Sequence, residues 1–110
     1  MQEEAKPVLI YATFPSPSEA ERIGTALVER GLAACVNIFP QITSIYIWEG
    51  KLQRDSETAM LIKTRAQVAG PAMAAVRSLH TYSNPALLVL DVIDGSADFV
   101  RWIAAQTARS

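Results

Sequence analysis

The sequence predicts an α+β domain with one antiparallel sheet, built in the order βαββαβ, and a further helix at the C-terminus. Two segments of helical periodicity each separate short apolar runs that are typical of strands. Between these helices, a run of β-branched and aromatic residues at 42–48 leads into a turn sequence at Glu49-Gly50. A second strand pattern follows from Lys51 to about Thr64, so the two strands form one long hairpin.

The first strand and the first helix have clear boundaries. The apolar run from Val8 to Thr13 predicts the strand. Ser16 can cap the helix that follows, Pro17 suits its first position, and Glu19 can complete a capping box. The helix then presents one apolar stripe to the core, formed by Ala20, Ile23, Leu27 and Val28.

The hairpin is too long to be covered by its own domain. Fourteen residues from Lys51 onward extend roughly 45 Å at ~3.3 Å each, whereas a domain of this size has a radius of gyration near ~13 Å. Pro40 predicts a bend in its first strand. Alternation places Tyr46 and Trp48 on one face of that strand and Ile45 on the other. A strand that is apolar on both faces needs cover on both, and we expect a second copy of the chain to supply it.

The second helix has conflicting signals at its start. Thr64-Arg65-Ala66-Gln67 is a capping-box pattern, but Gly70-Pro71 would damage a helix begun there. We therefore predict a short turn at 65–69 and the main helix from Pro71 to Leu79.

The last elements complete one domain. A loop at 80–85 precedes a strand from Ala86 to Ile93, and Gly95-Ser96 begins the final helix. Helices are expected on one face of the sheet, which leaves the other face bare in a single chain. Residues 1–6 form a polar tail, and residues 7–110 form the single domain.

Composition excludes several classes of protein. The chain has 110 residues, a formal net charge of −1 and a pI of about 5.7, which favours neither nucleic acid nor an anionic membrane as a partner. Its single cysteine excludes an intrachain disulfide and indicates a reducing compartment. No apolar run approaches the ~20 residues of a membrane span, and the N-terminus lacks the pattern of a secretory signal. We expect a cytoplasmic protein.

Few residues suggest chemistry. Cys35 is the only thiol and His80 the only imidazole; each is a possible metal ligand, although a buried Cys in a strand and a His at a helix end have ordinary structural roles. A tight site needs three or four ligands, so any binding of Cu(II) or another divalent cation is expected to be weak. The sequence contains no nucleophile elbow, P-loop or dinucleotide-binding turn, and we expect no enzymatic activity.

A small-molecule cleft is a further hypothesis. Lys63 ends the second long strand, whereas His80 and Tyr82 lie in the loop before the last strand. A neighbouring hairpin with Trp48 and Glu49 near its tip is expected to close the gap between them. One positive charge, one imidazole and one phenol would suit a small anion.

An ordered set of short motifs resembles the CutA family of divalent-cation tolerance proteins. The matching residues are Leu32-Ala33-Ala34-Cys35-Val36-Asn37, Thr43-Ser44-Ile45-Tyr46, Trp48-Glu49-Gly50-Lys51, Ile62-Lys63-Thr64 and His80-Thr81-Tyr82-Ser83-Asn84-Pro85.

The resemblance implies a ferredoxin-like fold and a homotrimer in which the bare sheet faces and long hairpins pack together. The expected interface includes Ile45, Tyr46 and Trp48. Copper binding in some relatives is attributed to a Cys in the first strand and a His-His pair, but here Ala12 and Leu79 occupy the first two of these places, and only His80 remains. An alternative function is a sensor that resembles PII-type signalling proteins and binds a small anion in clefts between subunits.

Overall fold

The computed structural model describes residues 6–108, which form one antiparallel sheet and three helices. The elements are β1 (Pro7–Phe14), α1 (Pro17–Glu29), β2 (Cys35–Trp48), β3 (Lys51–Arg65), α2 (Ala66–Leu79), β4 (Leu87–Asp91) and α3 (Ala97–Thr107). The strands lie in the order β2-β3-β1-β4, and all neighbouring strands are antiparallel. This confirms the α+β class and the predicted order of elements. The predicted tail at 1–6 lies outside the described residues except for Lys6.

The core lies between the sheet and the helices α1 and α2. Every second residue of β1 points into this core, as strand alternation requires. Apolar side chains of α1 and α2 pack against them. No helix in the described part of the chain has the length and hydropathy needed to cross a membrane. The fully buried core side chains include Ile10, Ala12, Phe14, Ile23, Leu27, Met60, Ile62, Ala72 and Val76.

Helix α1 begins where the sequence predicts, with one difference in its cap. The Ser16 hydroxyl accepts a hydrogen bond from the backbone N–H of Glu19 at 3.3 Å, and Pro17 occupies the first turn. The Glu19 carboxylate makes no reciprocal bond back to Ser16. Instead it accepts hydrogen bonds from the hydroxyl of Thr81 at 3.1 Å and its backbone N–H at 3.4 Å. Glu19 therefore ties α1 to the loop that follows α2.

The prediction for α2 is wrong: one continuous helix runs from Ala66 to Leu79 with Pro71 inside it. Inside a helix a proline removes one backbone hydrogen bond and crowds the carbonyl four residues earlier. It also crowds the side chain of the residue before it, and only this last conflict is relieved here, because that residue is Gly70. Buried residues on both sides of Pro71 hold the helix against the core. The N-cap is Arg65, without a side-chain cap, so the capping box at Thr64 is also absent.

The hairpin of β2 and β3 has the predicted turn, and its register is irregular where a bend is predicted. Glu49 and Gly50 both have positive φ, 50° and 79°, as a tight two-residue hairpin turn requires. The register shifts between Phe39 and Ile42, on either side of Pro40. Because β1 pairs with β3 only over residues 58–65, residues 51–57 of β3 pair with β2 alone. This unsupported half of the hairpin carries exposed apolar side chains, with Ile45 at 64% and Trp48 at 63% exposure.

The second face of the sheet was predicted to be bare in a single chain. In the structure, α3 packs against one end of it. The Lys63 ammonium lies 5.5 Å from the ring centre of Phe99, and the Arg65 guanidinium donates to the Thr107 hydroxyl at 3.1 Å. The rest of that face includes exposed apolar residues, such as Leu88 on β4.

Strand β4 is shorter than predicted, running from Leu87 to Asp91. Its pairing with β1 ends at Val8↔Asp91, next to Pro7, which has no backbone N–H to continue the ladder.

Candidate functional site

A cleft of about 660 Å³ lies beyond the end of β1, between the unsupported half of the hairpin and the loop at 80–86. Three aromatic rings line it: Tyr46 and Trp48 from β2 and Tyr82 from the loop. The side chains of Asp55 and Glu57 line it from β3. We call this feature the acid-aromatic cleft. Its volume falls in the range of small-molecule sites.

Hairpin register brings the rings and the carboxylates together. Tyr46 pairs with Gln53 and Ser44 with Asp55 across the two strands, so the polar side chains of β3 share a face with Tyr46. The Tyr46 hydroxyl donates a hydrogen bond to Asp55 Oδ2. One ring and one carboxylate of the cleft are therefore joined within the chain itself.

The second phenol is held in the same way. The Tyr82 hydroxyl donates to Glu57 Oε2 at 3.2 Å. Burial, and then the negative charge of Glu57, raise the pKa of Tyr82 to about 12. The hydrogen bond to Asp55 is the largest cause of the raised pKa of Tyr46. Each phenol acts as a hydrogen-bond donor to its carboxylate.

His80 lies beneath the cleft rather than inside it, with a fully buried side chain. Its Nε2 is 2.7 Å from the Thr13 carbonyl oxygen, and its Nδ1 is 3.0 Å from the backbone nitrogen of Tyr82. A carbonyl only accepts and a backbone N–H only donates, so in these two hydrogen bonds Nε2 is the donor and Nδ1 the acceptor. The ring also stacks on Phe14 at 4.8 Å and contacts Tyr82 at 4.8 Å. His80 therefore positions Tyr82 at the cleft wall.

The two metal-ligand candidates lie apart. Cys35 pairs with Lys63, which pairs in turn with Leu9, whereas His80 bonds to Thr13. Leu9 and Thr13 are four residues apart on β1, so the two candidates are separated by ~13 Å along that strand. Both nitrogens of His80 are also engaged in hydrogen bonds. Among residues 6–108, no three His, Cys, Asp or Glu side chains group closely enough to hold a metal ion.

Within one chain, only some of the predicted ligand-pocket residues lie at the acid-aromatic cleft. Trp48 and Tyr82 line the acid-aromatic cleft and His80 supports it, but neither Glu49 in the turn nor Lys63 lines it. Lys63 lies against α3 instead. The charged residues that do line the cleft in the described chain are carboxylates, with no Lys or Arg. A cleft completed by a second chain stays a prediction.

The candidate site residues predicted from the sequence did not include Asp55 and Glu57. The signal was available in the register. A two-residue turn at Glu49-Gly50 fixes Trp48 opposite Lys51 and Tyr46 opposite Gln53, which places the next odd-numbered residues of β3 on the face of Tyr46.

Comparison with known proteins extends over almost the whole described chain. Residues 8–106 match the family model described as CutA1 divalent ion tolerance protein. The divalent-cation tolerance protein CutA of Archaeoglobus fulgidus is 44% identical over 94 residues, which cover 86% of this chain and 91% of that protein. Protein CutA of Homo sapiens is 41% identical over 97 residues, 88% of this chain but 54% of that protein. The Protein CutA homolog of Xenopus laevis is 43% identical over 93 residues, which cover 84% of this chain but only 62% of that protein.

Solved structures share the fold. The crystal structure of divalent ion tolerance protein CutA1 from Ehrlichia chaffeensis aligns with a TM-score of 0.91 and 34% identity, covering 94% of this chain and 97% of that one. The periplasmic divalent cation tolerance protein CutA from Archaeoglobus fulgidus aligns with a TM-score of 0.89 and 40% identity, covering 92% and 98%. By sequence and by fold, this chain belongs to the CutA1 divalent ion tolerance family.

Proposed function

We propose that this protein supports tolerance of divalent cations, copper in particular, as a homotrimer that catalyses no reaction. The observation that carries the proposal is the match of residues 8–106 to the CutA1 divalent ion tolerance family. Relatives with 37–44% identity are named divalent-cation tolerance proteins, and the chain covers about nine tenths of their length.

Exposed apolar surface supports the homotrimer. Ile45 and Trp48 are each more than 60% exposed on opposite faces of β2, and Tyr46 is 41% exposed. Leu88 on β4 adds exposed apolar surface on the second face of the sheet. Monomeric proteins rarely expose contiguous apolar patches of this kind. We infer that neighbouring copies bury these side chains.

The chemistry of the described residues supports a role in which a single chain does not hold copper tightly. Cys35 and His80 lie on separate parts of the fold, and His80 already uses both ring nitrogens. Weak Cu(II) binding, with tolerance arising from the assembled protein, fits this arrangement better than a dedicated copper site does.

The alternative, a sensor for a small anion, has less support. The charged side chains that line the acid-aromatic cleft are Asp55 and Glu57, which repel an anion. Lys63, the cation that this hypothesis needs, lies elsewhere in the same chain.

A complementation experiment tests the proposal. A bacterial strain lacking its own CutA is transformed with this chain and grown over a series of copper sulfate concentrations. We expect the chain to restore growth, and we expect Ile45→Asp, but not the matched Ile45→Val, to lose that effect at equal expression. Growth no better than with the empty vector would contradict the proposed function.

A further inference from the structure

We propose that His80 is a pH-sensitive anchor for the loop at 80–86. Uptake of one proton at its Nδ1 atom transfers this nitrogen from the Tyr82 N–H to the Glu19 carboxylate, which releases the start of the loop. The inference concerns how the fold responds to pH, and it does not depend on the proposed role in metal tolerance.

The Nδ1 atom of His80 has two alternative partners. It accepts a hydrogen bond from the backbone N–H of Tyr82 at 3.0 Å, and the Oε2 atom of Glu19 lies 3.6 Å from it. The first partner needs a nitrogen without a proton, because a backbone N–H only donates. The second needs a protonated nitrogen, because a carboxylate only accepts. Nδ1 therefore bonds to one partner or the other, and the proton decides which.

The rest of the ring has the same contacts in both states. Nε2 donates to the Thr13 carbonyl at 2.7 Å, and the ring stacks on Phe14 with 4.8 Å between the ring centres. An imidazolium keeps its proton on Nε2 and so keeps the bond to Thr13. Both nitrogens are bonded within the chain, so His80 is not a metal ligand here, and protonation changes the contacts at Nδ1 alone.

Glu19 supplies the negative charge that a buried imidazolium needs. A charge inside a protein is costly unless an opposite charge faces it. The Glu19 side chain is only 10% exposed, and its Oε2 atom already accepts from the Thr81 hydroxyl at 3.1 Å and from the Thr81 N–H at 3.4 Å. Because the new bond would use the same oxygen, protonation of His80 weakens the hold of Glu19 on Thr81 as well as removing the acceptor of the Tyr82 N–H.

The neighbouring elements contribute three further charged or titratable side chains to this network. On α1, the exposed Arg22 guanidinium lies 3.9 Å from Oε1 of Glu19, the oxygen that does not face the ring. In the loop, the Tyr82 phenol donates to Glu57 of β3. The contacts that β1 and α2 make with His80 are uncharged: the Thr13 carbonyl, the Phe14 ring, and the Val76 carbonyl that accepts the His80 backbone N–H.

The anchor lies inside one chain. The His80 side chain is fully buried there and Glu19 nearly so, so copies that pack on the hairpin or the sheet neither supply nor remove these contacts. Glu19, as the partly exposed member of the pair, connects Nδ1 to solvent. Histidine is also the side chain whose charge ordinarily changes between about pH 5 and pH 8. The structure thus places a group that can change its charge exactly between a loop amide and a carboxylate.

NMR spectroscopy of the protein in solution tests the proposal, because His80 is the only histidine in the sequence. The imidazole nitrogen signals and the hydrogen-exchange protection factor of the Tyr82 amide are followed from about pH 8 to about pH 5. We expect the imidazolium to appear in this range and the protection of Tyr82 to fall roughly fivefold, the usual effect of losing one hydrogen bond. The Leu32 amide, which bonds to the Leu27 carbonyl at 2.9 Å at the end of α1, should keep its protection.

Variants separate the anchor from a general effect of pH. His80→Asn keeps an oxygen acceptor for the Tyr82 N–H but takes up no proton, so the protection of Tyr82 should not change with pH. Glu19→Gln removes the charge that faces Nδ1 and should move the transition to lower pH, whereas Glu21→Gln, the same change at an exposed position of α1, should not.

Three results would overturn the proposal. The ring could give no imidazolium signal down to about pH 5, or the imidazolium could form while Tyr82 keeps its protection. Tyr82 could also lose protection equally in His80→Asn, which would assign the change to another group. Equal shifts of the transition in Glu19→Gln and Glu21→Gln would likewise overturn the role of Glu19, because binding of the proton would then follow net charge alone.

Discussion

Replacing His80 with alanine should lower the free energy of unfolding by about 4–5 kcal/mol. The change removes two hydrogen bonds, to the Thr13 carbonyl at 2.7 Å and from the Tyr82 N–H at 3.0 Å, worth about 1 kcal/mol each. It also removes ring contacts with Phe14 and Tyr82 at 4.8 Å, worth about 0.5 kcal/mol or more each. The space left by a fully buried ring adds roughly 1–2 kcal/mol.

Two further variants separate these contributions. His80→Gln retains a side-chain N–H that reaches toward the Thr13 carbonyl, and His80→Asn retains an acceptor for the Tyr82 N–H. Each should recover about 1 kcal/mol relative to alanine. Urea unfolding followed by circular dichroism measures all four proteins at one protein concentration, because assembly couples stability to concentration. A loss below about 1 kcal/mol in the alanine variant would refute the assigned role of the ring.

Three other changes have defined outcomes. Spectroscopic titration of Tyr82 should give a pKa of about 12, and Glu57→Gln should lower it only in part because burial is the larger cause. The stability that the protonated Tyr82 contributes is complete below pH 10 and is lost as the pH rises through 12. An ordinary tyrosine pKa would contradict the assigned contacts. Thr64→Val should raise stability by about 1 kcal/mol in urea unfolding, since the buried Thr64 hydroxyl has no hydrogen-bond partner in the described chain; a loss of stability would show that it has one. Calorimetry should show weak, non-stoichiometric Cu(II) binding that Cys35→Ser leaves unchanged, whereas one tight copper per chain, lost in both Cys35→Ser and His80→Ala, would contradict this account.

Local signals predicted much of the fold because they act over a few residues. Ser16 caps α1 and Glu49-Gly50 turns the hairpin as expected. The start of α2 was predicted wrongly because the rule against proline within a helix was applied without the relief that Gly70 gives to Pro71. The packing of α2 against the core outweighs the loss of the backbone hydrogen bond that Pro71 cannot donate.

The site was harder to predict because its contacts cross between elements. Tyr82 and Glu57 are separated by 25 positions in sequence, and His80 and Thr13 by 67. No spacing rule relates such pairs, and the protonated nitrogen of His80 depends on which backbone groups surround it. Lys63 was grouped with His80 from strand ends alone, whereas the register places it at the level of Leu9, four residues from Thr13.

The mass of the protein in dilute solution tests the central claim, that exposed apolar surface on the hairpin and sheet is buried between three copies of the chain. Light scattering should give three times the chain mass of 12.0 kDa. Ile45→Asp places a charge on a side chain that is 64% exposed in one chain and that the trimer is proposed to bury, so it should lower that mass. A parent protein that scatters as a clean monomer would contradict the account.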